Sequence, residues 1–353
     1  MTAQSIEYVE LYTENRKPTI EHFVSSFGFT QTAESVATDR HSTMLCHGDV
    51  RLMVTSGEAV AAYLEEHGDG IADIAFGCDD VAATLDTARA AGARTLTAAD
   101  GPPAVSGFGA VRHTLLPRSA PADRRLPAGP AWIPTPNPGP LPPWRRRIER
   151  LDHVAVCLEQ GTLQDSVRRY TEGFGLSRYS SEQIEVGDQA MRSTVVRSAT
   201  GLITFTILEP DPVKGSGQLD GFLARNRGAG VQHLAFLVDD IVLAVRDFED
   251  RGVEFLRTPD AYYEMLADRL IDLRGQTEEL RATNVLADRD EWGYLLQLFS
   301  RSPHERNTLF YELIQRRGAQ GFGTANIKAL YEAVDRARTA EEPVLHAQDG
   351  AAQ

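Results

Sequence analysis

Cysteine is scarce in this chain: Cys46, Cys78 and Cys157 are the only three among 353 residues, and no two stand in a CxxC spacing. A disulfide frame is therefore excluded, and the three read as small buried residues of a reducing cytoplasm, where we expect the protein. Positive charge is also in deficit. Lys and Arg total 36 against 50 Asp and Glu, for a formal net charge of −14. Nucleic-acid binders usually present a basic face, so that class is set aside. The run Arg145-Arg146-Arg147 is too short to reverse this and reads as a solvated stretch. Long apolar runs are missing as well: nothing approaches the ~18 residues needed to span a bilayer. Met1 to Glu7 lack the basic-then-apolar pattern of a secretory leader. Neither nucleic acid nor a membrane is an expected partner.

What the chain does contain is ample core material and an internal repeat. A content of 42% hydrophobic and 24% charged residues suits two globular domains, each with its own core. Residues 228–240 read Gly-Ala-Gly-Val-Gln-His-Leu-Ala-Phe-Leu-Val-Asp-Asp. Val231 to Val238 has the pattern of a buried strand, with His233 inside it. Residues 68–80 read Gly-Asp-Gly-Ile-Ala-Asp-Ile-Ala-Phe-Gly-Cys-Asp-Asp. Gly70, Ile74-Ala75-Phe76 and Asp79-Asp80 fall on Gly230, Leu234-Ala235-Phe236 and Asp239-Asp240, and the register holds as far as Leu96 on Leu256. Such self-similarity means one structural unit made twice. Asp73 stands where the second copy has His233.

Taken in order, the first copy predicts a strand at Ile6 to Tyr12 and a helix at Arg16 to Phe27. Strands follow at Ser42 to Cys46, Val50 to Thr55 and Ile71 to Cys78, then a helix at Asp80 to Ala91 and one or two strands at Phe108 to Leu116. Residues 117–143 hold ten of the 18 prolines. Proline removes backbone donors and fixes φ, so this stretch should form neither helix nor sheet core. The second copy repeats the plan: a strand at Leu151 to Leu158, a helix at Leu163 to Gly173, and strands at Met191 to Ser198 and Leu202 to Glu209. The Val231 strand, a helix at Asp239 to Glu249, strands at Leu295 to Ser300 and Leu309 to Arg316, and a helix at Asn326 to Arg336 complete it. The expected fold is α+β, two tandem βαβββ modules with half-open sheet barrels. We place the N-terminal domain at 1–118, the linker at 119–148, the C-terminal domain at 149–340 and a disordered tail at 341–353.

Three side chains of the second copy could carry chemistry: His153, His233 and Glu312. Each lies mid-strand among apolar neighbours. Singly, each has an ordinary explanation, since a buried histidine is usually a hydrogen-bonded core residue and a glutamate after tyrosine is usually half-exposed. Together they are more telling. They occupy equivalent strands of a duplicated unit, and the first copy replaces them by Tyr8, Asp73 and Thr114. Two imidazoles and one carboxylate on a cupped sheet would form a facial triad with open positions, which suits non-haem Fe(II) and oxygen chemistry.

The segments Leu151-Asp152-His153-Val154-Ala155, Gly230-Val231-Gln232-His233-Leu234-Ala235, Phe310-Tyr311-Glu312-Leu313-Ile314 and Gly321-Phe322-Gly323 with Asn326-Ile327-Lys328-Ala329-Leu330-Tyr331 resemble the 4-hydroxyphenylpyruvate dioxygenase family of the vicinal-oxygen-chelate superfamily. The likeness spans essentially the whole chain. It implies Fe(II) at His153, His233 and Glu312 in a catalytic second half, and a first half that has lost its site. It also implies 4-hydroxyphenylpyruvate and O2 as substrates, the substrate supplying its own α-keto acid.

Two outcomes are known on this scaffold: ring attack giving homogentisate, and benzylic hydroxylation giving 4-hydroxymandelate. In the family the strand before Glu209 typically ends Pro-Ile-Asn-Glu-Pro; here it reads Thr206-Ile207-Leu208-Glu209-Pro210. Thr206 and Leu208 share one face by strand periodicity. Losing an amide at Leu208 removes a group that could hold the ring for ring attack, which favours benzylic hydroxylation. Ile327 and Tyr331, where ring-attacking members tend to have Phe, point the same way. Ser193, Thr206 and Gln297 are expected to assist catalysis and contact substrate. Asn284 is a further candidate for ordering the oxygens or the phenol, and Phe322 for stacking on the ring under the last helix. Extradiol catechol cleavage and a non-catalytic small-molecule binder are the rival readings, and the first half offers a surface for a homodimer. The link to antibiotic biosynthesis is an implication of the resemblance only.

Overall fold

The computed structural model describes residues 3–96, 101–118, 131–136, 139–186, 189–211, 213 and 217–326. The expected last helix from Ile327 on, with Tyr331, and the tail lie outside them. The first half contributes β1 (Ala3–Tyr12), β2 (Thr30–Val36), β3 (His41–His47), β4 (Val50–Ser56), β5 (Gly70–Cys78), β6 (Ala104–Ser106), β7 (Arg112–Pro117) and β8 (Trp132–Pro134). The second contributes β9 (Ile148–Cys157), β10 (Ser177–Val186), β11 (Gln189–Arg197), β12 (Thr204–Pro210), β13 (Gly230–Val238), β14 (Leu286–Arg289), β15 (Tyr294–Phe299) and β16 (Phe310–Arg317).

Each half forms one mixed eight-stranded sheet, ordered β6-β7-β5-β1-β4-β3-β2-β8 and β10-β11-β12-β9-β13-β16-β15-β14. The central strands β5 and β13 are largely buried and mostly apolar, interrupted by Asp73 in one and by Gln232 and His233 in the other, as strands covered on both faces tend to be. The duplication extends to register. Tyr8 faces Ala75 across β1 and β5, and His153 faces Ala235 across β9 and β13. Phe76 pairs with Leu115, and Phe236 with Leu313, which sets Thr114 on Glu312.

Several elements differ from the sequence-based expectation. The helices begun at Arg16 and Leu163 both widen into a π turn, at His22–Ser26 and Arg169–Gly173. Strands β2 and β10, helices at Gln218–Asn226 and Asp260–Arg269, and β14 were not expected. Part of the proline-rich stretch also joins a sheet: Trp132–Pro134 pairs with β2 as an edge strand. An edge is where a sheet tolerates proline.

The halves interlock reciprocally. Phe27 of the first half meets Phe236 at 6.3 Å, and Phe174 of the second meets Phe76 at 5.2 Å. Phe23 packs edge-on against Tyr311. One continuous apolar core therefore runs through both halves, and it backs the strands that carry the candidate ligands.

Candidate metal centre

The three proposed ligands come from β9, β13 and β16, which are neighbours in the second sheet. Register explains how they meet. Ala235 lies opposite His153 on one side and Glu312 on the other. Its methyl leaves the middle of that row open. His233, two residues earlier on β13, falls on the same face. His153 Nε2 lies 3.3 Å from Glu312 Oε2, His233 Nε2 lies 3.2 Å from the same oxygen, and the two Nε2 atoms are 3.4 Å apart. Donors about 2.1 Å from one ion and at right angles to one another sit about 3 Å apart, so the set fits a facial site. Among the described residues it is the only cluster of three or more ligand-type side chains.

Both histidines are held with Nε2 facing the centre. His153 Nδ1 donates to Asp152 Oδ1 at 2.9 Å, and His233 Nδ1 donates to Gln232 Oε1 at 3.2 Å. Carboxylate and amide oxygens can only accept, so each Nδ1 carries a proton and each Nε2 is the atom left to face a metal ion. In regular strands Asp152 and Gln232 would point away from the histidines that follow them. Two β-bulges prevent this. Leu151 and His153 oppose Phe236 and Ala235, so the register skips Asp152; Val231 and His233 oppose Val156 and Ala155, so it skips Gln232. A bulge re-aims the side chains beside it.

Electrostatics match a cation site. Burial alone would raise Glu312, but the charge of His153 and the bond from its imidazole hold it near 2. Asp152 is likewise kept far below the usual carboxylate range: burial opposes this, but the Arg316 guanidinium and His153 outweigh it. The first half lacks this arrangement. There Asp73 accepts from Thr114 Oγ1 (2.5 Å), Arg112 Nε (2.9 Å) and the Thr114 amide (3.0 Å). Its carboxylate is saturated from within, leaving no room for an ion.

A cavity of about 70 Å³ opens on the triad, lined among others by Ser193, Thr206, Leu208, Gln297 and Phe322. Five of the residues expected from the sequence to meet substrate are thus gathered here; Asn284 is not. It sits in a turn at φ 56°, its side-chain oxygen accepts from the Thr258 amide, and its carbonyl from Thr258 Oγ1. Those bonds tie its turn to Thr258, and it does not line the cavity. Ile327 and Tyr331 are outside the described residues. Gln297 is 1% exposed, and among the described residues its Oε1 has no partner. Gly323 closes over it at φ 73°, where a Cβ would stand 2.1 Å from that oxygen. Ser180, Glu182, Ile184, Val195, Phe299 and Thr324 also line the cavity. Sequence reasoning missed them; for the three on β10, strand alternation was the available signal. It missed Asp152 and Arg316 too.

Comparison with known proteins places this geometry. A family model described as the Glyoxalase/Bleomycin resistance protein/Dioxygenase superfamily matches residues 5–112 and 150–298. Curated relatives include the 4-hydroxyphenylpyruvate dioxygenases of Yarrowia lipolytica and Aspergillus fumigatus, each 31% identical, covering 94% of this chain and 91% of theirs. The chain belongs to this superfamily and to its 4-hydroxyphenylpyruvate dioxygenase family. Among solved structures, a triple mutant of 4-hydroxymandelate synthase from Streptomyces coelicolor is 50% identical, with a TM-score of 0.86 over 96% of this chain and all of that one. The family membership agrees with the duplicated fold and with a dioxygenase-type site. No described helix is long and apolar enough to cross a membrane.

Proposed function

We propose that the chain is an Fe(II)-dependent 4-hydroxymandelate synthase. In this reading 4-hydroxyphenylpyruvate and O2 become 4-hydroxymandelate and CO2. The observation that carries the choice is Leu208 in the cavity wall beside Thr206, where ring-attacking relatives typically have Asn and Pro. The 50% identity to a hydroxymandelate synthase, against 31% to the dioxygenases, supports it.

The two histidines and the carboxylate fit Fe(II) by donor type and spacing. Bound there, iron would activate O2 and drive oxidative decarboxylation of the substrate's keto acid. The protein's own part is placement. His153, His233 and Glu312 hold one face of the ion, leaving the cavity side for substrate. Ile184, Val195 and Leu208 form an apolar wall for the ring. The orphan acceptor of Gln297 matches the phenolic O–H, because an unpaired buried acceptor costs about 1–3 kcal/mol until a donor arrives. Ser193 and Thr206 supply hydroxyls for the oxygens of the substrate or product. Without an amide at Leu208 the ring is not drawn to the reacting centre, so the benzylic carbon lies nearest. A misplacement of about 1 Å can cost 10²-fold, which is why so few wall residues can decide the product.

The test is to load the protein with Fe(II), supply 4-hydroxyphenylpyruvate and O2, and identify the product. Homogentisate and 4-hydroxymandelate are isomers, and both reactions release CO2. Chromatography against authentic standards must therefore separate them. We expect 4-hydroxymandelate. Homogentisate as the main product would reject the synthase and retain the family; iron binding with no turnover would favour a small-molecule binder.

A further inference from the structure

Arg316 stands four residues after Glu312 on the same face of β16, and its guanidinium makes two separate sets of bonds. Nε and one terminal nitrogen grip Asp152, each at 2.8 Å. The other terminal nitrogen donates to the carbonyls of Gly321 at 2.7 Å and Ala319 at 3.2 Å. Asp152 Oδ1 also accepts from His153 Nδ1. The cation lies 5.0 Å from the centre of the Phe322 ring, and that ring stands edge-on to His153 at 5.2 Å.

We infer that Arg316 is a positioning residue that ties the ring plane of His153, through Asp152, to the seat of Phe322, through the Ala319 and Gly321 carbonyls. This rests on reading His153, His233 and Glu312 as the metal site. The chemistry calls for arginine. A planar fork with five donors can take a carboxylate through two bonds and still reach two carbonyls, whereas an ammonium is a single point charge. Asp152 depends on this grip for its rotamer: among the described residues its carboxylate bonds only His153 and Arg316. The coupling has a use. The cavity, at about 70 Å³, is smaller than the ~150 Å³ that accepts one benzene. An aromatic keto acid can enter only if part of the wall yields, and Phe322 is the wall residue on the segment that Arg316 holds. The residue that holds the backbone beside Phe322 also holds the ligand histidine, so the ring cannot be displaced without strain on the metal centre.

The experiment uses Co(II) as the probe, with affinity and visible spectrum as one readout. The second is the ratio of hydroxylated product to O2 consumed by the Fe(II) form. Arg316→Gln, shown to be folded by circular dichroism, should bind Co(II) about 10–100-fold more weakly, with a changed spectrum and a lower ratio. Asp152→Asn should match its loss of affinity. Arg316→Lys should recover most of the affinity, because its charge still faces Asp152, but not the product ratio, because the carbonyl bonds are gone. Wild-type affinity and spectrum in Arg316→Gln would overturn the link to His153. A wild-type product ratio in Arg316→Lys would overturn the link to Phe322. If Arg316→Gln does not fold, the Asn and Lys variants test the two links separately. Undiminished Co(II) binding by His153→Ala would instead reject the metal site itself.

Discussion

Burial alone would strip the proton from His153, yet the Glu312 carboxylate 3.3 Å away and the bond to Asp152 hold its pKa at about 9. His233, equally buried, is lowered instead, because burial outweighs its share of Glu312. Without metal, one proton beyond the two on the Nδ1 atoms therefore remains at neutral pH, and it sits on His153 Nε2. A metal ion needs the same nitrogen unprotonated. Below about pH 9 the ion must displace a proton, so apparent Co(II) affinity should rise about tenfold per pH unit from pH 7 to 9 and level off above. Co(II) titrations across that range would measure it, and a flat affinity would mean that His153 is neutral when empty. The three candidate ligands stood out in the sequence because the duplicate offers a comparison: Tyr8, Asp73 and Thr114 hold the same positions in the first half. Asn284 had no such comparison. Its left-handed φ, which asparagine tolerates, explains its presence without any ligand.

Asp152 and Gln232 were not legible, and the cause lies in the strands. Period-2 reasoning sends the neighbours of a ligand to the opposite face. A bulge cancels that rule, and no residue pattern in β9 or β13 announces one. The bulges are nonetheless shared features of the unit. In the first half the register skips Glu7 and Ala72, at the positions of Asp152 and Gln232. Edge strands failed for another reason. β10, Ser-Arg-Tyr-Ser-Ser-Glu-Gln-Ile-Glu-Val, has little apolar content because it closes the sheet with much of its surface in water. Its Ser180, Glu182 and Ile184 still alternate into the cavity. β12 did obey the period, and Thr206 and Leu208 share the cavity wall as expected. That face should steer the oxygen. Restoring the family pattern with Thr206→Pro and Leu208→Asn should divert a measurable fraction of turnover to homogentisate. An unchanged product from the folded double variant would place the steering elsewhere.

At the scale of the molecule, the two halves are joined through neutral histidines. His113 donates from Nδ1 to the Ile74 carbonyl at 3.0 Å and accepts at Nε2 from Tyr170 of the other half at 2.7 Å. His47 donates to the Phe27 carbonyl at 2.9 Å and accepts from the Ile148 amide, where the second half begins, at 3.1 Å. The accepting nitrogens work only while unprotonated, and burial pushes both groups down to about 4. An unfolded histidine takes its proton near pH 6.5. Between about pH 6.5 and 4 the unfolded chain thus binds more protons, and stability should fall as pH falls, on the order of 3 kcal/mol per histidine by pH 4. Asp73, raised by burial to about 6, runs the other way and offsets part of one histidine's share. Urea unfolding at pH 4, 5, 6 and 7 would measure the net slope. His113→Gln and His47→Gln cannot titrate, so each should be less stable at pH 7 but show a flatter slope below pH 6.5. A slope unchanged by both would mean that acid acts on other groups, the carboxylates or the buried His22, and leaves the seam between the halves intact.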